Sequence, residues 1–177
     1  MLLGDPEEFV RDAKPVARDL ARHTGYGVVI GTLLDGEVEV EECHSGLPTE
    51  AGGGIAEFSD DSRSVCDLAV TAVLASTHEP LARALLDAAA PPAADRRSFR
   101  RELAKIRQIG LAGRCDVALG LGCVCVAVLD DAGQLRGSIG LVCPASQWPP
   151  PMTALALLRG AARRLSGAPE GHRRPSA

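Results

Sequence analysis

Aromatic residues make up only 3% of this 177-residue chain, too few for the stacking platforms on which single-stranded nucleic acids are held. An excess of positive charge is also missing. Lys and Arg number 19 against 23 Asp and Glu, a net charge of −4, whereas sequence-independent attraction to phosphate needs the opposite balance. No apolar run approaches the roughly 18–20 residues of a membrane span. The N-terminal MLLGDPEEFVRD carries acids where an export signal has a basic start and a longer apolar core. These absences predict a cytoplasmic protein that neither enters membranes nor binds duplex DNA by itself. Six cysteines are present, at 43, 66, 115, 123, 125 and 143. Their irregular spacing, without an export signal, predicts reduced thiols rather than a disulfide framework. With 46% hydrophobic residues the chain can fill one core, and its length suits one domain.

The order of elements follows from periodicity and punctuation. Asp5 is an N-cap candidate, Pro6 suits the first helical position, and Glu7 and Glu8 complement the helix dipole. Pro15 predicts an interruption, with a second helical segment carrying Val16, Ala17 and Leu20 inward as far as Gly25. In YGVVIGTLLDGEVEVEE, Asp35-Gly36 between an apolar run and the alternating Val38 and Val40 predicts a β-hairpin with Glu37, Glu39 and Glu41 on a solvated face. GLPTEAGGGIAEFSDD reads as a loop, long enough to act as a lid, that encloses a short strand at 55–58. Helical spacing resumes at Ser64, continues through EPLARALLDAAA to Pro91-Pro92, and returns in an amphipathic helix with Phe99, Leu103 and Ile106 inward, ended by Gly110. A short strand over 111–114 and a second hairpin, 122–129 with 135–143, precede a closing helix and the tail APEGHRRPSA. Helices before, between and after an antiparallel sheet make an α+β domain.

GLGCVCVAVLDD raises a question of chemistry, since Cys123 and Cys125 stand two residues apart in a strand. Alternation puts Cys123, Cys125 and Ala127 on one face with Ser138, Gly140 and Val142 of the next strand, and Val124, Val126, Val128, Ile139 and Leu141 on the other. A face of mostly small side chains leaves volume unless another element fills it, so these six positions are the candidate ligand-binding residues. Residues i and i+2 of a strand lie about 6.5–7 Å apart, at the limit for a disulfide. Zinc needs about four ligands, which only Cys43, His44 or Cys115 could complete. Buried thiols acting as small hydrophobes are the plainer reading. Neither a metal nor a cofactor is expected.

Nothing else forms a catalytic constellation. His23, His44, His78 and His172 lack a nucleophile or acid at a telling spacing. Arg96, Arg97, Arg100 and Arg101, broken by Asp95 and Glu102, read as a solvated helix face. No phosphate-binding glycine motif is present.

RELAKIRQIGLAGRCDVALGLGCVCVAVLDDAGQLRGSIGLVCP resembles the closing half of the effector-binding domain of IclR-type transcription regulators. Arg101, Leu103, Ile106, Arg107, Gly110, Ala112, Gly120, Asp130, Gly133 and Pro144 match that pattern in step. PVARDLARHTGYGVVIGTLLDGEVEVEE is similar to its opening helix and hairpin. The resemblance implies a GAF-like antiparallel sheet of about six strands, helices on one face, a ligand pocket on the other, and self-association. On this reading 1–12 is a helical lead-in, 13–166 the effector-binding domain and 167–177 a disordered tail.

Two departures matter. Fewer than fifteen residues precede the matching helix, where the family carries a winged helix-turn-helix, so DNA would be read through a partner. The serines of the family's Ser-x-Ser-Gly-Pro, which anchor carboxylate effectors, are replaced in Gly140-Leu141-Val142-Cys143-Pro144, and its Gly-Lys is Val70-Thr71. Cys123 aligns with a cysteine that some members place in the pocket. The expected role is a stand-alone, non-catalytic sensor of a small effector more apolar than short organic acids, homo-oligomeric or joined to a DNA-binding regulator. The alternatives are a small cysteine-dependent enzyme and a ligand-free oligomerisation partner of full-length regulators.

Overall fold

The computed structural model describes residues 5–44, 60–89 and 93–167. Along the chain run α1 (Pro6–Thr24), β1 (Gly27–Leu34), β2 (Glu37–His44), α2 (Asp60–Thr77), α3 (Glu79–Ala89), α4 (Ala93–Ile109), β3 (Ala112–Asp116), β4 (Leu121–Leu129), β5 (Leu135–Pro144) and α5 (Met152–Leu165). The strands form one antiparallel sheet in the order β2-β1-β5-β4-β3. The α+β class is as read from the sequence, with five strands rather than about six among the described residues. The strand expected over 55–58 and the tail from 168 onward lie outside those residues.

Local signals explain most boundaries. The Asp5 carboxylate accepts the Glu7 amide at 3.0 Å, and Gly25 closes α1 with a left-handed φ of 72°. Pro15 does not break the helix as expected; α1 is continuous through it. Lys14, Pro15 and Arg18 are exposed, so the carbonyl left without a Pro15 N–H lies on the solvent side, where water can bond it. Asp35 and Gly36 both take positive φ, 50° and 87°, the turn geometry that matches the twist of a tight hairpin. In the β4–β5 turn, the Asp130 carboxylate accepts the amides of Ala132 and Gln134 at 2.9 and 2.8 Å.

Helices cover both faces of the sheet, not one. On the first face Phe9, Ala13, Val16, Ala17 and Leu20 of α1 and Leu158, Ala161, Ala162 and Leu165 of α5 pack on Val28, Ile30, Val124, Val128, Ile139 and Leu141. Trp148 joins this layer over Gly113 and Gly122, and a Cβ at Gly122 would collide with its indole. On the second face α2, with Leu81 and Ala82 of α3 and Leu103 and Ile106 of α4, covers Val29, Leu33, Ala112, Cys123, Cys125, Leu135 and Val142. The inward stripe of α4 is the one read from Leu103 and Ile106, with Phe99 half-buried beside it.

Candidate functional site

The six candidate positions form three directly opposed pairs across β4 and β5: Cys123 with Val142, Cys125 with Gly140, and Ala127 with Ser138. They sit in the middle of the sheet because β5 is its central strand, flanked by β1 and β4. Cys123, Cys125, Ser138, Gly140 and Val142 are buried and Ala127 is half-buried. Alternation therefore sorts them as expected. The space above them is occupied by α2, whose Val65, Cys66, Ala69, Val70 and Val73 belong to the same apolar cluster. The grooves between α1 and α5, between α1 and the β1–β2 hairpin, and between α2, α3 and α4 are lined by other residues.

Close packing accounts for the glycines here. A Cβ on Gly140 would stand 2.5 Å from the Cys125 sulfur, and one on Gly31 would collide with Val70 and Ser138. The Ser138 hydroxyl is turned toward the Gly31 carbonyl at 3.5 Å, the outer limit of a hydrogen bond. It is the one side-chain hydroxyl on the β4 and β5 strands of this face.

Three thiols meet between sheet and helix. The sulfurs of Cys123 and Cys125 are 3.6 Å apart, and the Cys66 thiol of α2 hydrogen-bonds Cys123. All three residues are 0–1% exposed. The hydrogen bond with Cys125 and burial push the Cys123 thiol well above its ordinary pKa, against an opposing effect of Cys66. A thiolate nucleophile therefore has no support at this position. Cys143, on the opposite face, is pushed up to about 11 by burial, with a further contribution from Cys115. None of the described cysteines 66, 115, 123, 125 and 143 is in a disulfide. No group of three or more His, Cys, Asp or Glu side chains among the described residues is arranged to hold a metal ion.

A second concavity escaped the sequence reading. Leu68, Thr71, Ala72, Leu85, Leu86 and Phe99 line a groove of about 400 Å³ between α2, α3 and α4, with Asp95 and Arg114 also in its wall. Leu68 is 59% exposed, and Arg114 is ion-paired with Glu102. The only sequence signal was an apolar run on α2 wider than one buried stripe requires.

Comparison with solved structures gives the fold a relative. The C-terminal domain of the E. coli transcriptional regulator KdgR superposes with a TM-score of 0.67 over 90% of this chain and 96% of that one, at 18% identity. An IclR transcriptional regulator from Silicibacter gives 0.66 at 21% identity, over 90% of this chain and 66% of that one. A targeted domain of an IclR-family regulator gives 0.62 at 17%, over 89% and 94%. The chain has the fold of the C-terminal domains of IclR-family regulators. Neither a protein-family model nor a curated protein matches it at the level of sequence. Among the described residues no helix is long and apolar enough to cross a membrane.

Proposed function

We propose that this chain is a non-catalytic regulatory domain that senses a small molecule and acts on transcription through a partner. The observation that carries the reading is the fold, shared at a TM-score of 0.67 with the C-terminal domain of a transcriptional regulator. Its ligand site is the sheet face of Cys123, Cys125, Ala127, Ser138, Gly140 and Val142, reached when α2 lifts. The effector is more apolar than short organic acids, because Ser138 is the one hydroxyl these strands bring to that face. The chain forms a homo-oligomer or a hetero-oligomer with a DNA-reading regulator, does not itself contact DNA, and works in the cytoplasm. The elevated pKa of Cys123 counts against the cysteine-dependent enzyme.

A thermal-shift screen tests the site. A ligand at about 100 times its Kd adds roughly 2.7 kcal/mol of stability, and Cys123→Phe should abolish that gain while the folded protein persists. Short carboxylates such as pyruvate or glyoxylate raising the Tm, with apolar and aromatic compounds inert, would contradict the proposed effector class. The close packing of α2 on the six residues favours one second reading, a ligand-free oligomerisation partner. It expects no shift from any compound and retention of a DNA-binding regulator in pull-down.

A further inference from the structure

The three thiols under α2 have a geometry that separates their possible chemistries. Cys123 and Cys125 point to the same side of β4 with sulfurs 3.6 Å apart. A disulfide needs about 2.05 Å between sulfurs, and positions i and i+2 hold their Cα atoms about 6.5–7 Å apart, at the limit of what such a bond spans. Zinc needs about four ligands, and even with Cys66 beside Cys123 the side chains here do not gather as a metal-holding group. What the pair does suit is a single soft atom that bridges two sulfurs without drawing the strand together. Its surroundings are apolar, with Ala69, Val70, Val73 and Val142 in the same cluster, and two sulfurs bridged through As–S bonds carry no charge into them.

We propose that Cys123 and Cys125 form a two-thiol site for trivalent arsenic compounds, closed over by Cys66 and α2. For an aryl arsenical the step is a condensation: the hydrated form, R–As(OH)₂, forms two As–S bonds. Both As–O bonds break, and the two thiol protons leave with the hydroxyls as two waters. The arsenic stays trivalent, so neither oxidant nor reductant is required. The step also begins and ends with neutral species, which suits an apolar site. Both thiols belong to the candidate ligand face, so the inference shares with the proposed function the requirement that α2 lift. Its readout is covalent uptake rather than effector affinity, so either can fail alone.

The test uses the whole reduced chain and phenylarsine oxide at one equivalent. Intact mass should show a 1:1 adduct, and denatured thiol titration should find two fewer free thiols than the six in the sequence. Cys123→Ser and Cys125→Ser should each weaken uptake by about 100-fold or more, the gain of a second tethered contact. Cys43→Ser, Cys115→Ser and Cys143→Ser should leave it unchanged. Circular dichroism on each variant separates loss of the site from loss of the fold. If a serine variant unfolds, peptide mapping of the wild-type adduct decides, and arsenic recovered on 121–129 is the expected result. An adduct that persists in a folded Cys123→Ser or Cys125→Ser protein, arsenic mapped elsewhere, or uptake by the denatured chain alone would overturn the proposal.

Discussion

The two faces of the β4–β5 hairpin are built from different materials. The face under α1 and α5 is filled by Phe9, Val28, Ile30, Val128, Ile139, Leu141 and Leu158, all at most 1% exposed. On the face under α2 the same two strands present Cys123, Cys125, Ala127, Ser138, Gly140 and Val142, and α2 brings Val65, Val70, Val73 and Leu74 down over them. Large branched side chains that interdigitate fix one geometry. Small ones give a helix less apolar area to hold it, at about 25 cal/mol per Å², and fewer knobs to withdraw when it moves. The proposed function makes the bulky face the scaffold and α2, over the small residues, the layer that shifts.

The largest test of this contrast is Leu141→Ala on the bulky face, which should cost about 2–5 kcal/mol in urea unfolding; a cost under about 1 kcal/mol would remove the asymmetry. Alkaline titration probes the same face. The Cys143 thiol, ordinarily near 9.0, is raised to about 11, so the folded state holds its proton more tightly than the unfolded chain. Stability should therefore be intact below about pH 9 and fall as pH rises toward 11, by about 3 kcal/mol at most. Cys143→Ala should flatten that decline, and an unchanged slope would mean the thiol is not held in a low-dielectric layer. Next in size is Gly122→Ala, whose methyl meets the Trp148 ring; overpacking there should cost about 1–3 kcal/mol, with a changed tryptophan emission as the local signature. Smallest is Cys125→Ala on the α2 face, at about 0.5–1.5 kcal/mol for one heavy atom. A loss equal to that of Leu141→Ala would mean both faces are packed alike.

How much of this was legible follows from what each signal depends on. Strand alternation is local, so the division of Cys123, Cys125 and Ala127 from Val124, Val126 and Val128 could be read directly, and pairing in the β4–β5 hairpin then fixed their partners. Asp35-Gly36 and Gly25 specify backbone conformations that few other residues adopt, and they fell where expected. Pro15 misled because a proline's effect depends on which side of the helix it faces, which becomes known only once Val16, Ala17 and Leu20 have found the sheet. What covers the small-residue face was not legible either. In α2, Val65, Cys66, Leu68, Ala69, Val70, Ala72, Val73 and Leu74 surround most of the helix with apolar groups, so no single stripe announces its partner. Only the three-dimensional arrangement puts Cys66 against Cys123 and leaves Leu68 outside, beside the groove.

The claim that α2 is the movable layer is tested most directly by native-state amide hydrogen exchange resolved along the chain. Amides of α2 between Val65 and Thr77 should exchange through an opening well below the global unfolding free energy, while those of α1, β5 and α5 exchange only near it. Exchange of α2 at the same free energy as α1 and α5 would contradict the account, because the six residues beneath it would then be reachable only by unfolding the whole domain.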